Sequence, residues 1–251
     1  MAQRNLLDIV NSILEPLEEK TVDTIDETTR SYQVAAIVRD TYFEGLANRN
    51  WPHKKELQGL QPRGAATPTH LIIPSSVKEI IEIRYDVAKT TDTRKKFRTI
   101  EYKTPIDFLD FTNSRNSSKS DVVEVEDPTG TSILIKDDKA PEYWTSFDQK
   151  SVVFDSFDKA VDSTIREEKQ QTYVVTTSDF LFEDDYVPDL PEEALPWLLA
   201  EAKSVAFVDI AQESNVKAEQ KSRRQQQWLS RKSRTTGRGY SLPSYGRRSK
   251  K

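Results

Sequence analysis

"THLIIPSSVKEIIEIRYDV", residues 69–87, is where the hydrophobic period of the chain changes. Upstream the period is helical. Leu6, Val10, Ile13, Leu14 and Leu17 stand at i, i+4, i+7, i+8 and i+11, the apolar stripe of a helix over residues 5–20, with Pro16 near its end. A second helix is expected from Asp26, a candidate N-cap, with Tyr32, Ala35, Ala36, Tyr42, Phe43 and Leu46 on one face. Trp51-Pro52 ends it, because a residue before proline is pushed out of the helical region. From residue 69 the apolar runs are short, β-branched or aromatic, and punctuated by Pro, Gly, Asn and Ser: "VKEIIEIRYDV", "FRTIEYK", "VVEVE", "TSILIK", "EYWTSF", "SVVFD". They predict a mostly antiparallel β region over roughly 69–178. The polar "NSRNSSKSD", residues 113–121, has no period and predicts an exposed loop tip.

Helical spacing returns at "PDLPEEALPWLLAEAKSVAFVDIAQESNVKAEQKSRRQQQWLSRKSR". Leu195, Leu198, Leu199, Ala202, Val205 and Ala206 form a narrow apolar stripe, and Pro196 suits the first helical position. Past Ala211 the pattern is almost wholly polar, and such a helix needs neighbours or a partner to be stable. The expected fold is α+β: a helical bundle from N- and C-terminal helices, with an inserted mostly antiparallel β region and a basic C-terminal extension. The domain boundaries expected are 1–60 for the N-terminal helices, 61–185 for the β-rich region, 186–234 for a long C-terminal helix packing with them, and 235–251 for the basic tail.

A chain of 251 residues can bury roughly 70–75% of its unfolded surface, enough for one or two cores. Hydrophobic content of 35% and a mean hydropathy of -0.70 are low for a self-contained enzyme of that size. With no cysteine, disulfides, thiolate zinc sites and cysteine nucleophiles are all excluded. The N-terminus has neither a basic n-region nor a continuous apolar run, so a soluble, unexported protein with no membrane partner is expected. The net charge of -4 conceals an asymmetry. Residues 221–251 carry eleven Lys or Arg and no acid, while the first 220 carry 26 basic and 41 acidic residues, a net -15. An acidic body with a basic end points to nucleic acid or an acidic protein surface as partner.

The insistent aromatic-Asp phrase "YWTSFDQKSVVFDSFDKAVDSTI", residues 143–165, raises the question of catalysis. Asp148, Asp155, Asp158 and Asp162, with Glu183, Asp184 and Asp185, could supply the acid pair of a glycosidase. Beside Ser and Thr, however, such aspartates are turn residues that accept backbone amide bonds. "FEDDY" fits no EF-hand spacing, and neither His53 nor His70 has a partner at metal-ligand spacing. No nucleotide-binding or nucleophile-elbow motif occurs. No enzyme activity, cofactor or metal is therefore expected. The basic residues interleave with Trp228, Tyr240 and Tyr245, which would suit phosphate contact and base stacking, or carboxylate recognition by Arg forks with aromatic anchors.

Taken in order, "NLLDIVNSILE" (5–15), "PTHLIIPSSVKEIIEIRYD" (68–86), residues 143–165, "FEDDYVPDLPEEALPWLLAEAKSVAF" (182–207) and "KAEQKSRRQQQWLSRKSR" (217–234) resemble the head-to-tail adaptor family of short-tailed bacteriophages, often called tail tubular protein A. The resemblance runs from about residue 5 to 234, and the segment beyond Arg234 lies outside it. It implies a structural virion protein of the tail or neck, assembled in the host cytoplasm. Its partners would be the portal ring, the next, nozzle-type tail protein, and eleven further copies of itself, with viral DNA passing through the lumen. It also implies that Phe147, Phe154 and Phe157 pack inward and the aspartates sit at turns or subunit contacts. Portal or partner contact is expected on Lys217, Lys221, Arg223, Arg224, Trp228, Arg231, Arg234, Tyr240 and Tyr245. No motif for cell-wall hydrolysis accompanies the resemblance. The alternative is a nucleic-acid-binding protein that uses the basic C-terminal tail.

Overall fold

The structure, a computed structural model, describes residues 4–47 and 51–237. In chain order the elements are α1 (Leu6–Leu14), α2 (Thr29–Ala47), β1 (Lys55–Gln58), β2 (Gln61–Pro62), β3 (His70–Ile72), β4 (Val77–Asp86), β5 (Phe97–Tyr102) and α3 (Pro105–Asn113). They continue with β6 (Val122–Glu126), β7 (Ser132–Lys136), β8 (Tyr143–Thr145), β9 (Ser151–Phe154), β10 (Gln170–Thr176), α4 (Leu195–Ala211) and α5 (Val216–Gly237). The chain divides into two compact units. One holds the residues up to Lys54 together with those from Ser178 onward, and the other is Lys55–Thr177.

The expectation of a helical bundle with an inserted β region is overturned by the second unit. Its eight-stranded mixed sheet, in the order β1-β10-β4-β5-β8-β9-β3-β2, dominates the fold, and one of the five described α-helices, α3, lies within that unit. The sheet is mixed because β5 pairs antiparallel with β4 through its first four residues and parallel with β8 through Glu101 and Tyr102. Its two edge strands, β1 and β2, are consecutive in the chain and separated only by Gly59 and Leu60. Gln58 and Gln61 therefore lie at most about 11 Å apart. A flat eight-stranded sheet would hold its edges about 33 Å apart, so this one must curl. The concave side encloses fully buried Leu60, Leu71, Ile83, Val152 and Phe154, each contributing about 1.5–3 kcal/mol relative to exposure. Leu60 is held at the junction by its carbonyl oxygen, which accepts from Gln170 Nε2 at 2.8 Å.

Two polar nodes tie the remaining elements to this sheet. His70, on β3, sits 2.9 Å from Asp127 Oδ1, and both side chains are fully buried. Asp127 opens the β6–β7 hairpin turn, where its other oxygen accepts from the Thr129 amide at 2.9 Å. The second node centres on Arg115. Its guanidinium donates to Asp155 Oδ2 at 2.8 Å, to the Asp155 carbonyl at 2.6 Å and to the Leu134 carbonyl at 3.0 Å. Asp155 Oδ1 accepts the Glu142 and Tyr143 amides, both at 2.9 Å. The segment expected to be an exposed loop tip thus contributes a side chain only 7% exposed.

In the helical unit, Asn5 caps α1 by accepting from the Asp8 amide at 2.8 Å, and the next two amides donate to the carbonyls of Tyr186 and Asp184. Proline and a left-handed Glu18 end this helix in a short 3-10 turn, Glu15–Leu17. The cap of α2 is Thr28, whose Oγ1 accepts from the Ser31 amide at 3.0 Å, rather than Asp26. Its buried face is Val34, Ala35, Val38 and Tyr42, whereas Tyr32 and Phe43, expected in the buried stripe, face outward. Gly45 is needed there because a Cβ would overlap the Trp197 ring. The long C-terminal helix expected is instead two helices. Gln212 takes the left-handed conformation at φ 57° and closes α4, and Asn215 restarts the helix by accepting from the Ala218 amide at 3.0 Å. α4 is the hub, packing on α1, α2 and α5.

Arg115→Ala leaves the Asp155 carboxylate buried without its cation and is expected to cost about 3–5 kcal/mol of stability. Urea unfolding of the full-length chain measures this directly; a loss below about 1 kcal/mol would show that water replaces the guanidinium.

Candidate functional site

Of the carboxylates that could have formed a catalytic pair, Asp148, Asp155, Asp158, Asp162 and Asp184 are engaged in local structure. Asp148 closes a turn, with Oδ1 accepting the Lys150 and Ser151 amides at 2.9 Å. These bonds outweigh the opposing effect of burial, the largest single influence, and hold its carboxyl below the usual range. Asp155 is the partner of Arg115. Asp158 accepts the Ala160 amide at 3.0 Å, and Asp162 is paired with Arg166 at 2.7 Å and with Lys169 at 2.5 Å. Asp184 accepts the Ile25 amide at 2.8 Å, while Glu183 and Asp185 on either side of it are exposed. Phe154 and Phe157 are buried in the sheet core, and Phe147 packs partly buried against it. The aromatic-Asp phrase is strand and turn architecture.

The histidines are also accounted for. His53 Nε2 lies 3.1 Å from the Asp189 carbonyl oxygen in the helical unit. His70 is enclosed in the β unit, where burial lowers its pKa below 6.5 and Asp127 opposes that shift. Among the described residues no group of three or more His, Asp or Glu could hold a metal ion, and no helix is long and apolar enough to cross a membrane.

Helix α5 presents a different kind of surface. Among its residues up to Arg231 the buried ones are Ala218, Ser222 and Leu229, with half-buried Gln225 on the same line at i, i+4, i+7 and i+11. This narrow seam lies on α4, where Glu201 accepts from the Ser222 hydroxyl. One residue earlier at each step stand Lys217, Lys221, Arg224 and Trp228, and Arg231 continues the row. All five are exposed, so a basic stripe runs parallel to the seam, about 100° around the helix. Trp228, 46% exposed, supplies the aromatic member. Arg223 stands apart from the row and pairs with Glu219. The stripe has little anionic compensation on its own helix, which carries seven Lys or Arg and one Glu. Lys203 on α4 has its pKa lowered by burial, with Lys221 adding to the shift.

Of the expected contact residues, the structure brings Lys217, Lys221, Arg224, Trp228 and Arg231 together on this stripe. Arg234 belongs to α5, and Tyr240 and Tyr245 lie outside the described residues. The opposite kind of surface was not expected. Residues 179–186 alternate outward and inward, with Asp179, Leu181, Glu183 and Asp185 exposed and Phe180, Phe182, Asp184 and Tyr186 turned in. Phe182 stacks on Tyr32 at 5.4 Å, and Phe180 lies 6.3 Å from Phe43. In "DFLFEDDY" the apolar residues Phe180, Leu181 and Phe182 are consecutive and Asp184 stands at an inward position, so the sequence carries little signal for this alternation. Matched against protein-family models and curated proteins, the chain gives no match.

Because His70 is buried with a lowered pKa, the unfolded chain takes up its proton first as pH falls. The stability it contributes is complete above pH 6.5 and is lost as pH drops from 6.5 towards the lowered folded value. Thermal melts between pH 7.5 and 5 should show this loss, reduced in His70→Gln; equal pH slopes in the two proteins would contradict the assignment.

Proposed function

We propose that this chain is a structural virion protein, a head-to-tail adaptor whose copies form a ring under the portal, with DNA passing through the lumen. The observation that carries the proposal is α5. A helix whose buried seam is one residue wide, and whose flank carries four cations in line with a tryptophan, gains its remaining stabilisation from a partner. The guanidinium forks and the aromatic anchor suit an acidic protein surface. The order of sequence motifs along residues 5–234 supports the same reading. So does the engagement of Asp148, Asp155, Asp158 and Asp162 in turns and ion pairs, which favours a scaffold over a hydrolase. The portal ring, the next tail protein and further copies of this chain are its partners in this reading.

Sedimentation of the full-length chain with the portal ring from the same genome tests it. Saturable co-migration, at about one copy per portal subunit, is expected of an adaptor ring matched to a portal. A chain that stays at the top of the gradient at both low and moderate salt would contradict the reading and make nucleic acid the leading partner.

A further inference from the structure

The helical unit carries two exposed surfaces of opposite character. On α2 and the segment beside it, Tyr32, Phe43 and Leu181 are 49%, 40% and 50% exposed. These apolar groups are not scattered: the Tyr32–Phe182–Phe180–Phe43 rings form a ladder with centroid spacings of 5.4, 5.6 and 6.3 Å. Acidic residues border it, with Asp179, Glu183 and Asp185 exposed in the row that includes Leu181 and Glu44 exposed on α2, while Asp40 is paired with Arg39, whose guanidinium lies 5.3 Å from the Phe182 ring centre and is the cation within this face. An apolar centre with a charged rim is the composition of a docking face. The basic stripe of α5 has the complementary composition, with Trp228 among Lys217, Lys221, Arg224 and Arg231. It extends about 21 Å from Lys217 to Arg231, and the acidic row from Asp179 to Asp185 spans at most about 20 Å.

The two surfaces are carried by α2 and α5, each of which buries its other face towards α4. Both surfaces are exposed in this chain, so each is offered to other molecules. We propose that the acidic aromatic face of one copy receives the α5 stripe of a second copy of this chain. The inference rests on the reading of α5 as a protein-docking helix and names the surface it meets. Because the contact joins two different faces, it is heterologous, and each added copy leaves one face of each kind available; such contacts propagate and close into a ring when the rotation permits. Opposite charge sets the register and accelerates encounter, while Trp228 against Leu181 and the aromatic ladder supplies the desolvated centre.

Charge exchange in the full-length chain tests this. The variants are K217E/K221E/R224E and D179K/E183K/D185K, with circular dichroism and melting confirming that both fold. Sedimentation velocity over a concentration series should show wild type self-associating, each variant alone weakened by about tenfold or more, and an equal mixture restored. The chain has no cysteine, so Leu181→Cys in one copy and Trp228→Cys in another should form a disulfide-linked pair, with neither forming it alone. Undiminished association of either charge variant, a mixture no tighter than its components, or a wild type that stays monomeric throughout overturns the proposal. Because no portal is present, failure here leaves portal co-migration to be judged separately, and success here does not depend on it.

Discussion

Two residues, Gly59 and Leu60, join the first and last strands of an eight-stranded sheet, and this covalent tether sets the form of the β unit. A sheet whose edges are tied so closely has to curl, and curling defines an inside. Leu60, at the tether, lies buried in that interior, which is why its carbonyl needs an internal donor and receives one from Gln170. Elements that cannot join the curled sheet are fastened to its outside by buried polar nodes. The His70–Asp127 contact holds the turn of the β6–β7 hairpin, and Arg115 gathers the end of α3, β7 and the start of β8 around Asp155. These nodes are specific because each donor and acceptor involved would be costly to leave unmet in the interior.

The helical unit follows a different logic. α4 is embraced by α1, α2 and α5, and the close approach of Trp197 to Gly45 shows how tightly α2 lies on it. α5 contributes little apolar surface to that packing. A helix of its length and polarity is weak by itself, and its cations align with Trp228 along one exposed flank.

Much of the local structure was legible in the sequence, for reasons that also explain the gaps. The apolar stripe of α1, the strand runs of β4 and β5, and proline at the first turn of α4 are all signals carried within one element. The cations of α5 and Trp228 were legible as candidate contact residues, but the row that sets Arg223 aside is defined only by the buried seam beside it. The dominance of the sheet was not, because β1 and β2 are short, polar and recognisable only through their partners, and α3 interrupts a strand-rich region. Arg115 lies in a stretch whose composition says loop, and its burial depends on Asp155, forty residues away. The break at Gln212 has no glycine to announce it. The outward turn of Tyr32 and Phe43 could not be foreseen either, since α2 carries apolar residues on more than one face and the choice between them was made by α4.

The account of function rests on treating the α5 stripe as a surface for protein rather than for phosphate. Both readings use the same cations, and they part on whether those cations neutralise phosphates and so release the counterions condensed on a duplex. The most direct measurement is therefore the affinity of the full-length chain for a short DNA duplex across a salt series, compared with K217E/K221E/R224E. The protein-docking account predicts the same dependence of log affinity on log salt for both. A slope that falls by about 0.9 for each cation removed, roughly three in all, would place the stripe on phosphate and contradict it.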